Sequence, residues 1–76
     1  MLDQNLSDKI IDLRRKSAEH YQKAAWNQLL ALDNFRENNF EAAERFAQLS
    51  FEDQMAASEY AELADAESSL YLELEE

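Results

Sequence analysis

Carboxylates at helical spacing are the residues of this chain best placed to do chemistry. Glu41-Ala-Ala-Glu44 and Glu59-Tyr-Ala-Glu62 each hold two glutamates three residues apart. That spacing places both carboxylates on one face of a helix. Two such groups could hold Ca²⁺ or Mg²⁺, which prefer oxygen ligands, or they could form a negatively charged binding surface. The remaining residues distinguish these two uses.

The chain lacks the further residues that a metal site or a catalytic site would need. Di-iron helical bundles take Glu-x-x-His pairs from facing helices, whereas the single histidine, His20, has Ser17 three residues before it. Cysteine and glycine are absent, so there is neither a thiolate nor a glycine-rich phosphate loop, and no nucleophile accompanies His20. We therefore expect no enzyme activity, catalytic residue, metal or cofactor. His20 is expected beside Glu19 at the surface or half-covered by the partner helix.

The acidic residues of the second half form a row that we call the glutamate ridge. Its members fall on one side of a straight helix: Glu41, Glu44, Glu52, Glu59, Glu62 and Glu73. Carboxylates one to two turns apart along a rod can imitate a run of phosphates, so the ridge would fit the basic groove of a nucleic-acid-binding protein. The alternative is a solvated face that only keeps the chain soluble.

The net charge of −10 lies entirely in the second half of the chain. Residues 1–38 carry six basic and six acidic side chains, whereas residues 39–76 carry Arg45 against eleven acidic side chains. Phosphate groups and anionic membranes are bound by Lys and Arg. We therefore expect no direct nucleic-acid or membrane binding, and a protein partner with a basic surface.

Apolar residues recur at helical spacing over two long stretches, which predicts an all-α fold. Gly and Pro, the usual helix breakers, are absent. The seven-residue rows are Ile11, Ala18, Ala25 and Leu32 in the first stretch, beside Tyr21 and Phe35, and Ala42, Leu49, Ala56, Leu63 and Leu70 in the second. Ile10, Ala24 and Ala31 belong to the same broad apolar face of the first stretch, and beside the row of the second stretch run small residues that let helix axes approach closely: Ala43, Ala47, Ser50, Ala57, Ala61 and Ala64. We predict helices over about 6–36 and 40–74 that pack through these faces.

Glu37-Asn38-Asn39 is the predicted turn, because Asn tolerates the left-handed conformation that ends helices. Two helices of similar length joined by a short turn predict an antiparallel hairpin in a single domain, 1–76. So small a chain buries a thin core, and we expect two copies to dimerise into a four-helix bundle. The alternative is a three-helix bundle with a break near 50–53, where Ser50-Phe-Glu-Asp53 is typical of a helix start.

Four large apolar side chains lie off the main rows: Trp26 and Leu30 in the first helix, and Phe51 and Met55 in the second. They are either core residues of a dimer or three-helix bundle, or an exposed anchor for a protein partner.

Residues 26–57 resemble a single tetratricopeptide-repeat hairpin. Leu30-Ala31 stand where that family has its Leu-Gly pair, Asn39-Phe-Glu-Ala-Ala43 is similar to its Asp-Tyr-x-x-Ala turn, and Phe46 follows where an aromatic residue is usual. The resemblance implies a helical scaffold that binds peptides.

Together these features predict a small, acidic, non-enzymatic interaction protein. The leading hypothesis is a cytoplasmic inhibitor or regulator that presents the glutamate ridge to a nucleic-acid-binding protein, by analogy with the acidic proteins that phages and mobile elements direct against host enzymes. The alternative is a structural or adaptor module that binds a partner helix through an apolar face.

Overall fold

Two long helices make up the computed structural model, which describes residues 4–75, with side chains for residues 4–70 and Leu72. Helix α1 spans Gln4–Arg36 and helix α2 spans Phe40–Glu75. They pack antiparallel as a rod with principal extents of 57 × 14 × 13 Å. The described residues contain no strand, so the predicted all-α helical hairpin is confirmed.

The turn between the helices is closed by backbone hydrogen bonds. Asn38 has φ 65°, which is the left-handed conformation expected of an asparagine that ends a helix. The Asn39 N–H donates to the Asn34 carbonyl at 2.8 Å and the Asn38 N–H to the Phe35 carbonyl at 3.1 Å, the pair of bonds that defines a Schellman motif. The Asn39 carbonyl then accepts from the Ala43 N–H at 2.9 Å and begins α2.

The helices meet along a line of small and polar residues, which we call the seam. Each helix contributes two rows with a seven-residue repeat, and every member is buried or half-buried. The rows are Ile10, Ser17, Ala24, Ala31 and Leu13, His20, Asn27, Asn34 on α1, and Ala43, Ser50, Ala57, Ala64 and Phe46, Asp53, Tyr60, Glu67 on α2. A seven-residue repeat on both helices is the pattern of a left-handed antiparallel pair.

Two buried serines show how closely the helices approach. Ser17 Oγ donates to the Ala57 carbonyl and Ser50 Oγ to the Ala24 carbonyl, each at 2.8 Å. Each serine therefore bonds to the alanine seven residues after the other serine, so the two contacts are related by a local two-fold axis. A side-chain hydroxyl can reach the backbone of the facing helix only where the intervening residues are small.

The contact runs through one side of each predicted apolar face, along Ile10, Ala24 and Ala31 on α1 and the small residues of α2, and not through the rows with the strictest seven-residue repeat. Ile11, Leu32, Leu49, Leu63 and Leu70 are all exposed. The contact line on each helix lies one position away from the row with the strictest repeat, through Ala24 on α1 and Ala43, Ala57 and Ala64 on α2. Small residues occupy the contact line because they let the helix backbones come close enough for the serine hydrogen bonds. Larger side chains at these positions would hold the helices apart.

The alternative three-helix bundle is also wrong. Helix α2 continues without interruption through 50–53. The Ser50 side chain is buried and donates across the seam, so it is not a helix cap. Its position among acidic residues is typical of a helix start, but the hydroxyl is satisfied by the facing helix instead.

Candidate interaction surfaces

A polar cluster occupies the middle of the seam and includes the only histidine. His20 Nδ1 lies 2.9 Å from Asp53 Oδ1, and Asn27 Nδ2 donates to Asp53 Oδ2 at 3.3 Å. The His20 ring stacks on Tyr60 with 5.6 Å between centroids. His20 is thus half-covered by the facing helix, as one of the two expected placements has it. The polar groups of this cluster find their hydrogen-bond partners within the hairpin. Their donors and acceptors face each other in only one register of the two helices.

Four basic side chains of α1, those of Lys9, Arg14, Arg15 and Lys16, are paired with acidic partners inside the molecule. Lys9 bonds to Glu67 at 2.8 Å and Arg14 to Asp65 at 2.7 Å across the two helices. Within α1, the Lys16 ammonium lies 3.1 Å from the Asp12 carboxylate, which also pairs with Arg15 at 3.9 Å. The hydrogen bond and negative charge of Asp12 raise the pKa of the Lys16 ammonium above its ordinary value.

The glutamates of the ridge take no part in these ion pairs. Glu41, Glu44, Glu52, Glu59 and Glu62 are exposed. None of these five makes an ion pair within the described part of the chain. The side chain of Glu73, the sixth predicted member, lies outside the described residues. The ridge therefore faces solvent, and Arg45 lies beside Glu41, Glu44 and Glu52 without an ion pair to them.

A second surface is apolar and almost free of charge. We call it the charge-poor flank; its large side chains are Ile11, Tyr21, Leu32, Phe35, Phe40 and Phe51, all exposed. At the turn end it contains a groove of about 860 Å³. Alanines 31, 43 and 47 line the groove together with Leu32, Phe35 and Phe40, and the Phe35 and Phe40 rings meet edge to face, 5.3 Å apart.

The opposite flank carries leucines among charges. Leu49, Leu63 and Leu70 of α2 are exposed there, and the helical spacing puts Lys16 and Lys23 of α1 on the same side. This flank therefore presents an apolar row bordered by basic and acidic side chains.

The four apolar residues singled out from the sequence do not form one patch. Trp26 is 63% exposed, Phe51 and Met55 are exposed, and Leu30 is half-buried. Helical spacing puts Trp26 and Leu30 on the flank with the leucine row, Phe51 on the charge-poor flank, and Met55 on the outer face of α2. Sequence reasoning missed the groove beside Phe35 and Phe40, because it placed Leu32 in the core.

No family model, curated protein or solved structure matches this chain. The turn at 37–39 coincides with the turn of the tetratricopeptide-repeat resemblance. Both helices, however, continue well beyond residues 26 and 57 without a break, so the geometry is one long hairpin rather than a short repeat unit.

Two further properties bear on the candidate surfaces. Among the described residues, no three His, Asp or Glu side chains come together in a way that could hold a metal ion. Neither described helix contains a stretch that is both long and apolar enough to cross a membrane.

Proposed function

We propose that this chain is a non-enzymatic interaction module that binds the basic surface of a nucleic-acid-binding protein through the glutamate ridge, and so regulates or inhibits that protein. The observation that carries the proposal is the exposure of Glu41, Glu44, Glu52, Glu59 and Glu62 without an ion pair among the described residues. Ridge glutamates neutralised by arginines of the same chain would leave nothing to attract a basic partner.

The continuity of α2 determines the spacing of the carboxylates that such a partner would meet. Glu52, Glu59 and their neighbours stand on an unbroken helix of 36 residues, and a helix rises about 1.5 Å per residue. Glu52 and Glu59 are therefore about 10 Å apart along the axis. A rigid row of charges needs little ordering on binding, which favours association with a basic groove.

The proposal is tested with two variants that lose the same charge at different places. E44Q/E52Q/E59Q/E62Q removes four carboxylates from the ridge, and D8N/E19Q/D33N/E37Q removes four exposed carboxylates from α1 and the turn. Both change the net charge from −10 to −6. Immobilised wild-type and variant proteins are used to capture partners from the native cell extract at low and high salt, and captured proteins are identified by mass spectrometry.

We expect the wild type to capture a basic protein at low salt and to release it at high salt, because exposed charges are screened. The ridge variant should lose at least about tenfold in affinity for the purified partner, since four exposed ion pairs each contribute modestly. The α1 variant should bind nearly as well as the wild type. Equal loss in both variants, or capture only of acidic or neutral proteins indifferent to salt, would contradict the proposal.

A second candidate function is favoured by the exposure of Trp26 and of the leucine row. An adaptor module would bind a partner helix through this flank, with Trp26 as an aromatic anchor. W26A should then abolish capture of the partner, and the ridge variant should not. Because the two candidates use different residues, the same capture experiment separates them.

A further inference from the structure

The charge-poor flank differs from the rest of the surface in its lack of charge. The charged side chains at its described positions are Arg14, Glu44 and Asp65. Arg14 and Asp65 are already paired at 2.7 Å, so Glu44 is the single unpaired charge among them. The chain as a whole is 32% charged, and a flank so depleted along the length of a rod is typical of a buried interface.

Net charge limits what can cover this flank. Two copies of a chain with net charge −10 repel each other. They can associate only where contact brings few unpaired carboxylates together, and on the charge-poor flank Glu44 is the single one among the described positions. The opposite flank borders Glu52 and Glu59 of the ridge, which contact between copies would crowd.

The flank also has the area and shape that a second copy needs. Extents of 57 × 14 Å give it roughly 800 Å², which is about what each partner contributes to a stable protein interface. A two-fold interface must be complementary to itself. The alanine-lined groove and the projecting rings of Tyr21 and Phe51 lie on this one surface, so it carries both a recess and side chains of a size to enter one.

The hairpin alone buries little apolar surface. Its buried apolar residues, within the described part, are Leu13 and four alanines. Phe35, by contrast, is 62% exposed. A second layer of helices packed over Phe35 and its neighbours would supply the core that the seam does not.

We propose that the charge-poor flank is the interface of an isologous homodimer, in which two hairpins form a four-helix bundle with Glu41, Glu52, Glu59 and Glu62 of each glutamate ridge facing outward and Glu44 at the edge of the interface. This assignment goes beyond the proposed function and does not depend on it. The dimer presents two ridges on its outside, so one assembly can bind two basic surfaces.

Sedimentation equilibrium of two matched variants tests the assignment. I11E/L32E places two carboxylates on the charge-poor flank, where the native side chains are 52% and 44% exposed. L49E/L63E places two carboxylates on the opposite flank, where the native Leu49 and Leu63 side chains are 40% and 53% exposed. Both changes add the same net charge at sites of similar exposure, so the general repulsion between two copies is matched.

At a concentration of about 100 µM we expect the wild type and L49E/L63E to sediment at twice the chain mass of 8.9 kDa. I11E/L32E should dissociate at least about 100-fold more readily, because it buries unpaired carboxylates. Added salt should tighten the wild-type dimer by screening the repulsion between copies. A wild type that stays monomeric in high salt, or a dimer lost in L49E/L63E and kept in I11E/L32E, would overturn the assignment.

Trp26 provides a check on the unmodified protein, because it is the single tryptophan and lies on the other flank. Acrylamide should quench the fluorescence of Trp26 equally well at low and at high protein concentration. Protection of Trp26 on dimerisation would place the interface on its own flank and refute the proposal.

Discussion

At the scale of single residues, the seam depends on side chains that are small and can also donate a hydrogen bond to the facing helix. Ser50 is 1% exposed and its hydroxyl reaches a carbonyl of the other helix. Alanine would fit the same space but lose the hydrogen bond, and leucine would force the helix backbones apart.

Substituting Ser50 separates these two contributions. S50A should lower the free energy of unfolding by about 1 kcal/mol, the usual net value of one hydrogen bond. S50L should lower it by at least about 2 kcal/mol, because overpacking strains a close contact. Urea unfolding followed by circular dichroism measures both, with S69A and S69L as exposed controls on the same helix. If S50L were as stable as S69L, the helices would not be held together closely at this point.

At the scale of elements, the turn depends on one backbone conformation. Asn38 is left-handed, a region that costs most residues about 1–2 kcal/mol. N38A should therefore lower the free energy of unfolding by about 1 kcal/mol, whereas N38G should leave it unchanged or raise it. Chemical unfolding of both, beside E37A at the neighbouring turn position, measures the effect. An N38A protein as stable as N38G would show that the turn does not need this conformation.

The sequence predicts the elements themselves and their packing through small side chains, but it does not show which row of each helix lies at the centre of the contact. The absence of Gly and Pro and the Asn38-Asn39 pair were enough to place both helices and the turn. The row of Leu49 and Leu63 is a stronger hydrophobic signal than the neighbouring row of Ser50 and Ala57, although the small side chains of the second row predict a close approach. The structure shows that the second row lies at the contact, where the serine hydroxyls bond to backbone carbonyls of the facing helix.

The same limit explains why the polar cluster was not predicted. Asp53 and Glu67 stand in the same seven-residue row as Phe46 and Tyr60, and in the sequence they interrupt that aromatic row. In the structure each faces a specific partner on α1: Asp53 bonds to His20 and Asn27, and Glu67 to Lys9. Pairing of side chains separated by more than 20 residues becomes visible only when the helix register is known.

At the scale of the whole molecule, the division of charge between the helices affects stability as well as binding. The first half of the chain is electrically balanced, whereas the second half carries the full −10. The cross-helix pairs of Arg14 with Asp65 and Lys9 with Glu67 offset part of the repulsion within α2. The carboxylates of the ridge have no such compensation among the described residues.

Salt should therefore stabilise this protein, because screening relieves the repulsion along α2 more than it weakens the few cross-helix pairs. Raising NaCl from about 20 to 500 mM should increase the midpoint of thermal unfolding by roughly 5 °C, which corresponds to about 1 kcal/mol for a domain of this size. E44Q/E52Q/E59Q/E62Q should lose most of this salt dependence, whereas D8N/E19Q/D33N/E37Q should keep it, although both have the same net charge. A midpoint that falls with salt would mean that attraction between the helices outweighs repulsion within α2, and that the ridge is less isolated from the basic residues than its geometry indicates.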